Sequence, residues 1–294
     1  MHVVTLISAR NDPRVSRSLA EQAQYIIGEA EMFWLERDTA CDLVTEDAPD
    51  AATREALSRL ALSAAVDCAV QPVAGRRKSI LIADMDSTMI DQECIDELAA
   101  EIGLKDKVAA ITARAMNGEI AFEPALRERV ALLRDLPVAR VSDVLATRIQ
   151  LATGGATLVA TMRANGAYTA LVSGGFTLFT QEVARQLGFD ENRANRLDVT
   201  DGVLTGTVAE PILGADSKLA ALHEIASARG ADAGAVLAVG DGANDLPMIL
   251  AAGTGVALHA KPAVAAKAPF RVDHSDLTGL LFLQGYKAEQ FIAA

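Results

Sequence analysis

The chain has 294 residues, more than one typical core accommodates, so a large and a small unit are expected. Hydrophobic residues make up 51% and aromatics only 4%, which calls for an aliphatic core, and 22% charged residues exclude a disordered chain. A net charge of −12 with no stripe of Lys or Arg argues for no nucleic acid and no membrane surface as partner, and no apolar run reaches the ~18 residues of a bilayer span.

The opening Met1-His2-Val3-Val4-Thr5-Leu6 shows neither a basic leader region nor a small-residue cleavage site. Cys41, Cys68 and Cys94 are widely spaced, with no C-x-x-C pair. Both features predict a reduced, cytoplasmic protein. Val3–Ile7 reads as a strand, and Pro13–Ile27 has helical periodicity with proline near its start. Met32–Leu35 and Ala40–Val44 predict a hairpin around Arg37-Asp38-Thr39, followed by a helix over Asp50–Ala64 and a strand over Asp67–Val73. The order βαββαβ is that of a ferredoxin-like α+β domain over residues 1–75. That segment holds 6 basic and 12 acidic residues, half of the net charge in a quarter of the chain. Pro72–Lys78, with Gly75 and the basic run Arg76-Arg77-Lys78, reads as a solvated linker.

Ser79–Asp84 is a β-rich run ending in carboxylates, and Glu93–Ile149 predicts helices without an intervening strand. From Thr153 a helix to Asn165, a strand Tyr168–Ser173 and a helix Thr177–Leu187 follow. A hairpin over Arg196–Val208 turns at Asp201-Gly202, then come a helix Ser217–Ala228 and strands Ala235–Val239 and Thr254–Leu258. Strands alternating with helices imply an α/β fold, a doubly wound Rossmann-like parallel sheet over residues 76–294 with a helical cap inserted at about 89–152. Leu280-Leu281-Phe282-Leu283 is either a buried segment or a homodimer contact. His223, His259 and His274 lack partners at ligand spacing and read as structural, as does Cys94.

Sites in open α/β sheets lie beyond the carboxyl ends of the strands. Asp84 and Asp86, two apart at such an end, face one way, and anions that close need a cation between them or a retained proton. Taken alone they also fit a helix-capping cluster with Ser87 and Thr88. Ser173-Gly174-Gly175 offers bare backbone N–H groups to an anion, although an ordinary strand-to-helix turn has the same pattern. Lys218 at a helix start suits an anion clamp, and by itself equally a surface position. In Gly240-Asp241-Gly242-Ala243-Asn244-Asp245 the third glycine of a dinucleotide loop is replaced by Asp245, which disfavours a nucleotide and suits Mg²⁺.

The order D-x-D, S-G-G, Lys, G-D-G-x-N-D resembles the haloacid dehalogenase superfamily of phosphotransferases. Within it, Asp84-Met85-Asp86-Ser87-Thr88 followed by Glu93-Cys94-Ile95-Asp96-Glu97-Leu98 resembles the phosphoserine phosphatases. So do Met116-Asn117-Gly118-Glu119, Phe122-Glu123 and Leu126-Arg127-Glu128-Arg129-Val130, the likeness spanning about residues 79–285. Met85 stands where many members carry Phe. The resemblance implies hydrolysis of O-phosphoserine to serine, the last step of serine biosynthesis, with Asp84 as nucleophile and Asp86 as acid and base. It implies Mg²⁺ held by Asp84, the Asp86 backbone carbonyl and Asp241, with Asp245 further out. Ser173, Gly174, Lys218 and Asn244 would hold phosphate, Glu93 the ammonium and Arg129 the carboxylate, with Met116 and Phe122 as apolar contacts. The first 75 residues are similar to ACT-like regions in element order only, since Ser8–Asn11 lack the glycine expected after the first strand.

Overall fold

The computed structural model describes residues 1–116 and 119–293, apart from the Met116 side chain. Strands β1 (His2–Ile7), β2 (Glu31–Glu36), β3 (Ala40–Thr45) and β4 (Asp67–Pro72) form an antiparallel sheet in the order β2-β3-β1-β4. Helices α1 (Arg17–Ile27) and α2 (Ala51–Ala64) cover one face, where Val4, Leu6, Cys41 and Leu43 pack against Leu19, Ala23, Leu57 and Ala61. This is the ferredoxin-like order expected from the sequence. The first helix starts later than its periodicity predicts, because Ser16 is extended and its hydroxyl accepts from Leu19 N, which makes it the cap.

The alternate residues of β1 face the rest of the chain. Ile7 and Ala69 belong to the same core as Leu277, Leu280, Leu281 and Phe282. Helix residues Leu280–Leu283 are thus buried inside the protomer. The basic linker is solvated only in part: Pro72, Ala74, Gly75 and Arg77 are exposed, but the Arg76 side chain is only 11% exposed. It donates to Asp42 at 2.6 Å, to Thr5 Oγ1 and to the carbonyls of Phe282 and Leu283. Asp67 adds a second tie by accepting from the backbone N–H groups of Asp273, His274 and Ser275.

Beyond the linker come β5 (Ile80–Ala83), α3 (Cys94–Glu101), α4 (Lys105–Met116), α5 (Phe122–Ala131), α6 (Ala139–Thr147), α7 (Gly155–Ala164), β6 (Tyr168–Phe176) and α8 (Thr177–Leu187). Then follow β7 (Glu191–Asn195), β8 (Leu197–Thr200), β9 (Val203–Val208), α9 (Ala215–Ala228), β10 (Val236–Gly240), α10 (Leu246–Ala251), β11 (Thr254–Leu258), α11 (Pro262–Ala265), β12 (Phe270–Val272) and α12 (Gly279–Leu283). The sheet order is β12-β11-β10-β5-β6-β7, all parallel. Ile80–Ala83 and Val236–Gly240 are buried throughout, as strands covered on both faces must be. The edge strands β7 and β12 escape a sequence reading: one is the polar run Glu-Asn-Arg-Ala-Asn and the other has three residues. Chain order reverses on either side of β5, so a crevice opens at its carboxyl end.

Helices α3–α6 stand over that end. The chain leaves at Ile90 and returns at Leu151, where one antiparallel bridge joins the two crossings. Asp201 and Gly202 both have positive φ, 50° and 79°, so the β8–β9 hairpin closes through the tight turn its sequence predicts. Asp135 N donates to Leu204 O and Leu204 N to Leu136 O, which stitches the segment after α5 to the hairpin edge.

Candidate active site

The carboxyl ends of β5 and β10 bring Asp84, Asp241 and Asp245 together, with one ligand oxygen from each within 4.8 Å of the others. Lys218, from the first turns of α9, reaches between them. Its ammonium lies 2.7 Å from Asp84 Oδ1 and 2.5 Å from Asp245 Oδ1, and the side chain is 1% exposed. The surface reading open to an isolated lysine is therefore overturned. Asp84 Oδ1 also accepts from Met85 N, and Asp245 Oδ2 accepts from Gly242 N at 2.9 Å. Both Asp245 oxygens are occupied, whereas the bonds to Asp84 from Lys218 and Met85 both go to Oδ1.

The loop after β5 folds back sharply. Ser87 takes φ 55°, in the left-handed region, while Met89 N and Ile90 N both donate to Met85 O. Met85 is buried, and Asp86 points to the crevice, where its Oδ1 accepts from Cys94 N. On the neighbouring strand, β6 leaves register between Val172 and Phe176, so Ser173-Gly174-Gly175 bulges out of the ladder. Gly175 N donates to Ser173 Oγ, and a Cβ on Gly175 would meet Asp86 Oδ2 at 2.9 Å. A side chain there would push the Asp86 carboxyl aside. Asn244 Nδ2 and the Phe122 ring flank the Cβ position of Gly174, at 3.9 and 3.5 Å.

Burial, then the Glu93 and Asp84 charges, raise Asp86 well above the usual carboxyl range. Asp241 is pushed up to about 7 by burial and by Asp84, Asp245 and Glu93. Burial and Asp84 also raise Asp245, against the pull of Lys218. Burial opposes the Lys218 cation, yet Asp245 and Asp84 outweigh it and raise its pKa. The crevice thus holds more negative charge than Lys218 offsets. Hard carboxylate oxygens at this separation suit a divalent cation, so the donor set fits one.

From the cap side, Glu93 Oε1 accepts from Ser87 Oγ at 2.9 Å. Desolvation at the cleft and the Asp84 charge raise its pKa, and the Ser87 hydrogen bond and Lys261 partly offset them. Arg129 donates to Ala125 O and Thr112 Oγ1, and its charge acts on the Asp96, Glu93 and Asp86 side. Phe122 covers Gly174 and Gly214. The Met116 side chain, Asn117 and Gly118 lie outside the described residues. Sequence reasoning missed Lys261, a cation facing both Glu93 and Asp241, whose signal is its place just past the carboxyl end of β11.

Acidic side chains and one buried lysine thus meet at the switch point of a parallel sheet, under a helical cap. The model of the haloacid dehalogenase-like hydrolases matches residues 81–250. A phosphoserine phosphatase of Mycobacterium tuberculosis is 41% identical over 241 residues, 81% of this chain. The chain spans 59% of that relative's length. A haloacid dehalogenase family hydrolase from Salmonella enterica serovar Typhi superposes with a TM-score of 0.86 at 30% identity, covering 98% of this chain and 100% of that one. A phosphoserine phosphatase solved as a phospho-aspartyl intermediate analogue superposes with a TM-score of 0.66 at 39% identity, covering 70% of this chain and 98% of that one. The chain belongs to the haloacid dehalogenase-like hydrolases, within the family of phosphoserine phosphatases.

Proposed function

We propose that this chain is a Mg²⁺-dependent phosphatase that hydrolyses O-phospho-L-serine to L-serine and phosphate in the cytoplasm, the last step of serine biosynthesis. The observation that carries it is the buried Lys218 between Asp84 and Asp245, with Asp241 and Asp86 beside them. The phospho-aspartyl analogue of a family member supports a covalent route. Residues 76–294 form the phosphatase unit, with the cap at about 89–152, and residues 1–75 form the ACT-like unit.

The free oxygen of Asp84 attacks phosphorus in line, forming the aspartyl P–O bond as the bond to the serine oxygen breaks. Asp86, protonated in its buried setting, gives its proton to that departing oxygen. It then takes a proton from the water that attacks phosphorus, and breaking the aspartyl P–O bond releases phosphate and restores Asp84. Lys218 and Ser173, with the Gly174 N–H and Asn244, hold the transferring oxygens. Glu93 takes the ammonium and Arg129 the carboxylate, with Phe122 and Met116 as the apolar lid. Asp84, Asp241 and the Asp86 carbonyl would hold the cation and Asp245 orients Lys218 and the Gly242 turn. Bound there, Mg²⁺ offsets the repulsion between phosphate and carboxylates.

The test is phosphate release from a panel of phosphomonoesters, with Mg²⁺ or with chelator, alongside trapping of labelled phosphoserine. Preference for phosphoserine, dependence on Mg²⁺ and label on Asp84 are expected. Full turnover after chelation, or no label on that carboxyl, overturns the reading.

A further inference from the structure

Asn195 ends β7, opposite Phe176, just where β6 regains register after the Ser173-Gly174-Gly175 bulge. The residue is 2% exposed, and its side-chain amide bonds to two loops. The amide nitrogen donates to Gly174 O at 2.8 Å and to Leu213 O at 3.1 Å, and the amide oxygen accepts from Leu213 N at 2.7 Å. One loop carries Ser173 and Gly174. The other ends in Gly214, whose carbonyl accepts from Lys218 N and so begins the helix that carries Lys218.

We infer that Asn195 is a positioning residue that sets the distance between the Ser173–Gly174 loop and the Lys218 helix. The two loops come from different strands, and the direct bonds among the described residues that span them run through this one amide. An amide suits the task because it presents two donors to two carbonyls and one acceptor to an N–H group. A carboxylate of the same shape turns an oxygen toward both carbonyls. The inference rests on the phosphatase reading, and it assigns Asn195 to the phosphate side of the site rather than to selection by the cap.

The experiment compares Asn195→Ala, Asn195→Asp and Asn195→Ser on phosphoserine and on p-nitrophenyl phosphate, with Mg²⁺, well below each melting temperature. The Ala variant is expected to lose about 10- to 100-fold in kcat/KM, equally on both substrates, as misplaced groups in a preorganised site do. Inhibition by orthophosphate weakens in parallel, a readout that stability alone does not move. The Asp variant falls as far as Ala or further despite its near-identical shape, and Ser, with one donor left, lies between. Wild-type kcat/KM in the Asp variant, a change in melting temperature only, or a loss confined to phosphoserine overturns the inference. Absence of wild-type hydrolysis overturns the phosphatase reading itself, whereas wild-type hydrolysis with unaltered variants overturns only this one. If Ala and Asp fail to fold, the Ser variant and its orthophosphate inhibition decide the matter.

Discussion

Replacing Lys218 by methionine tests the centre of the site, because the change keeps most of the side chain's bulk and removes only its charge. The ammonium lies 2.7 Å from Asp84 and 2.5 Å from Asp245. At an effective dielectric of about 20 each attraction amounts to roughly 6 kcal/mol, most of it offset in the native protein by desolvation of the buried ions. The variant keeps the desolvated carboxylates and loses the attraction, so about 3–5 kcal/mol of stability should disappear. A second substitution that removes one stranded anion, Lys218→Met with Asp245→Leu, should recover much of that loss. Urea unfolding followed by far-ultraviolet circular dichroism gives the stability, and phosphate release gives the rate. With one charged donor to the transferring oxygens gone, kcat should fall about 10²- to 10³-fold. A methionine variant that unfolds at the wild-type urea concentration and turns over near the wild-type rate would refute both the burial argument and the role of Lys218.

Glu93→Gln should lose at least about 30-fold in kcat/KM on phosphoserine, from about 2 kcal/mol for a charge partly open to the cleft, with far less lost on p-nitrophenyl phosphate. Equal losses on both substrates would remove Glu93 from substrate selection. Arg76→Met strands Asp42, whose side chain is 6% exposed, and should cost about 3–5 kcal/mol in urea unfolding. Adding Asp42→Leu should restore part of it, and strictly additive losses would show that the pair is not coupled. Burial pushes the Cys41 and Cys68 thiols up to about 12 and raises Cys94 as well. Raised thiol pKa values keep the protonated form through mildly alkaline pH, so a disulfide reagent should modify none of the three until denaturant is added. Rapid modification of the native protein would contradict that assignment.

What could be read from the sequence depended on how locally each feature is determined. The strands β5 and β10 are apolar on both faces and end in carboxylates, so strand and site signals coincide in a few residues. Strand β7 has no such signature, since it lies at the sheet edge and carries polar side chains paired with other elements: Glu191 accepts from Tyr168, and Arg193 pairs with Glu224. With β7 unseen, Asn195 could not be connected to the loops it joins. Arg76 looked like surface because its neighbours are basic, whereas its partners are Asp42, 34 residues before it, and a carbonyl 207 residues after it. Lys218 was ambiguous for the same reason, because the carboxylates that keep it charged come from two other strands. Types of side chain and their order survive in one dimension; partners distant in sequence do not.

The acidity of the chain poses a problem for binding an anion, and the site's geometry turns it into an order of events. Asp241 is pushed up to about 7 by burial first and then by the charges of Asp84, Asp245 and Glu93, and Lys218 is already engaged by two of these groups. A phosphate entering alone faces Asp84, Asp241 and Asp245 with Lys218 already engaged and Lys261 as the nearby cation, and each like charge at about 4 Å costs roughly 4 kcal/mol at a dielectric of about 20. The proposed function then predicts that a divalent cation binds before phosphate does, not only before phosphate reacts. Titration calorimetry of orthophosphate into the resting protein separates the two cases without any turnover. With Mg²⁺ present binding should be measurable, and with chelator it should weaken at least about 100-fold, the equivalent of roughly 2.7 kcal/mol. Equal affinity in both buffers would mean that Lys218, Lys261 and the Ser173–Gly174 loop suffice to hold the anion, and that the carboxylates face it already neutralised by protons.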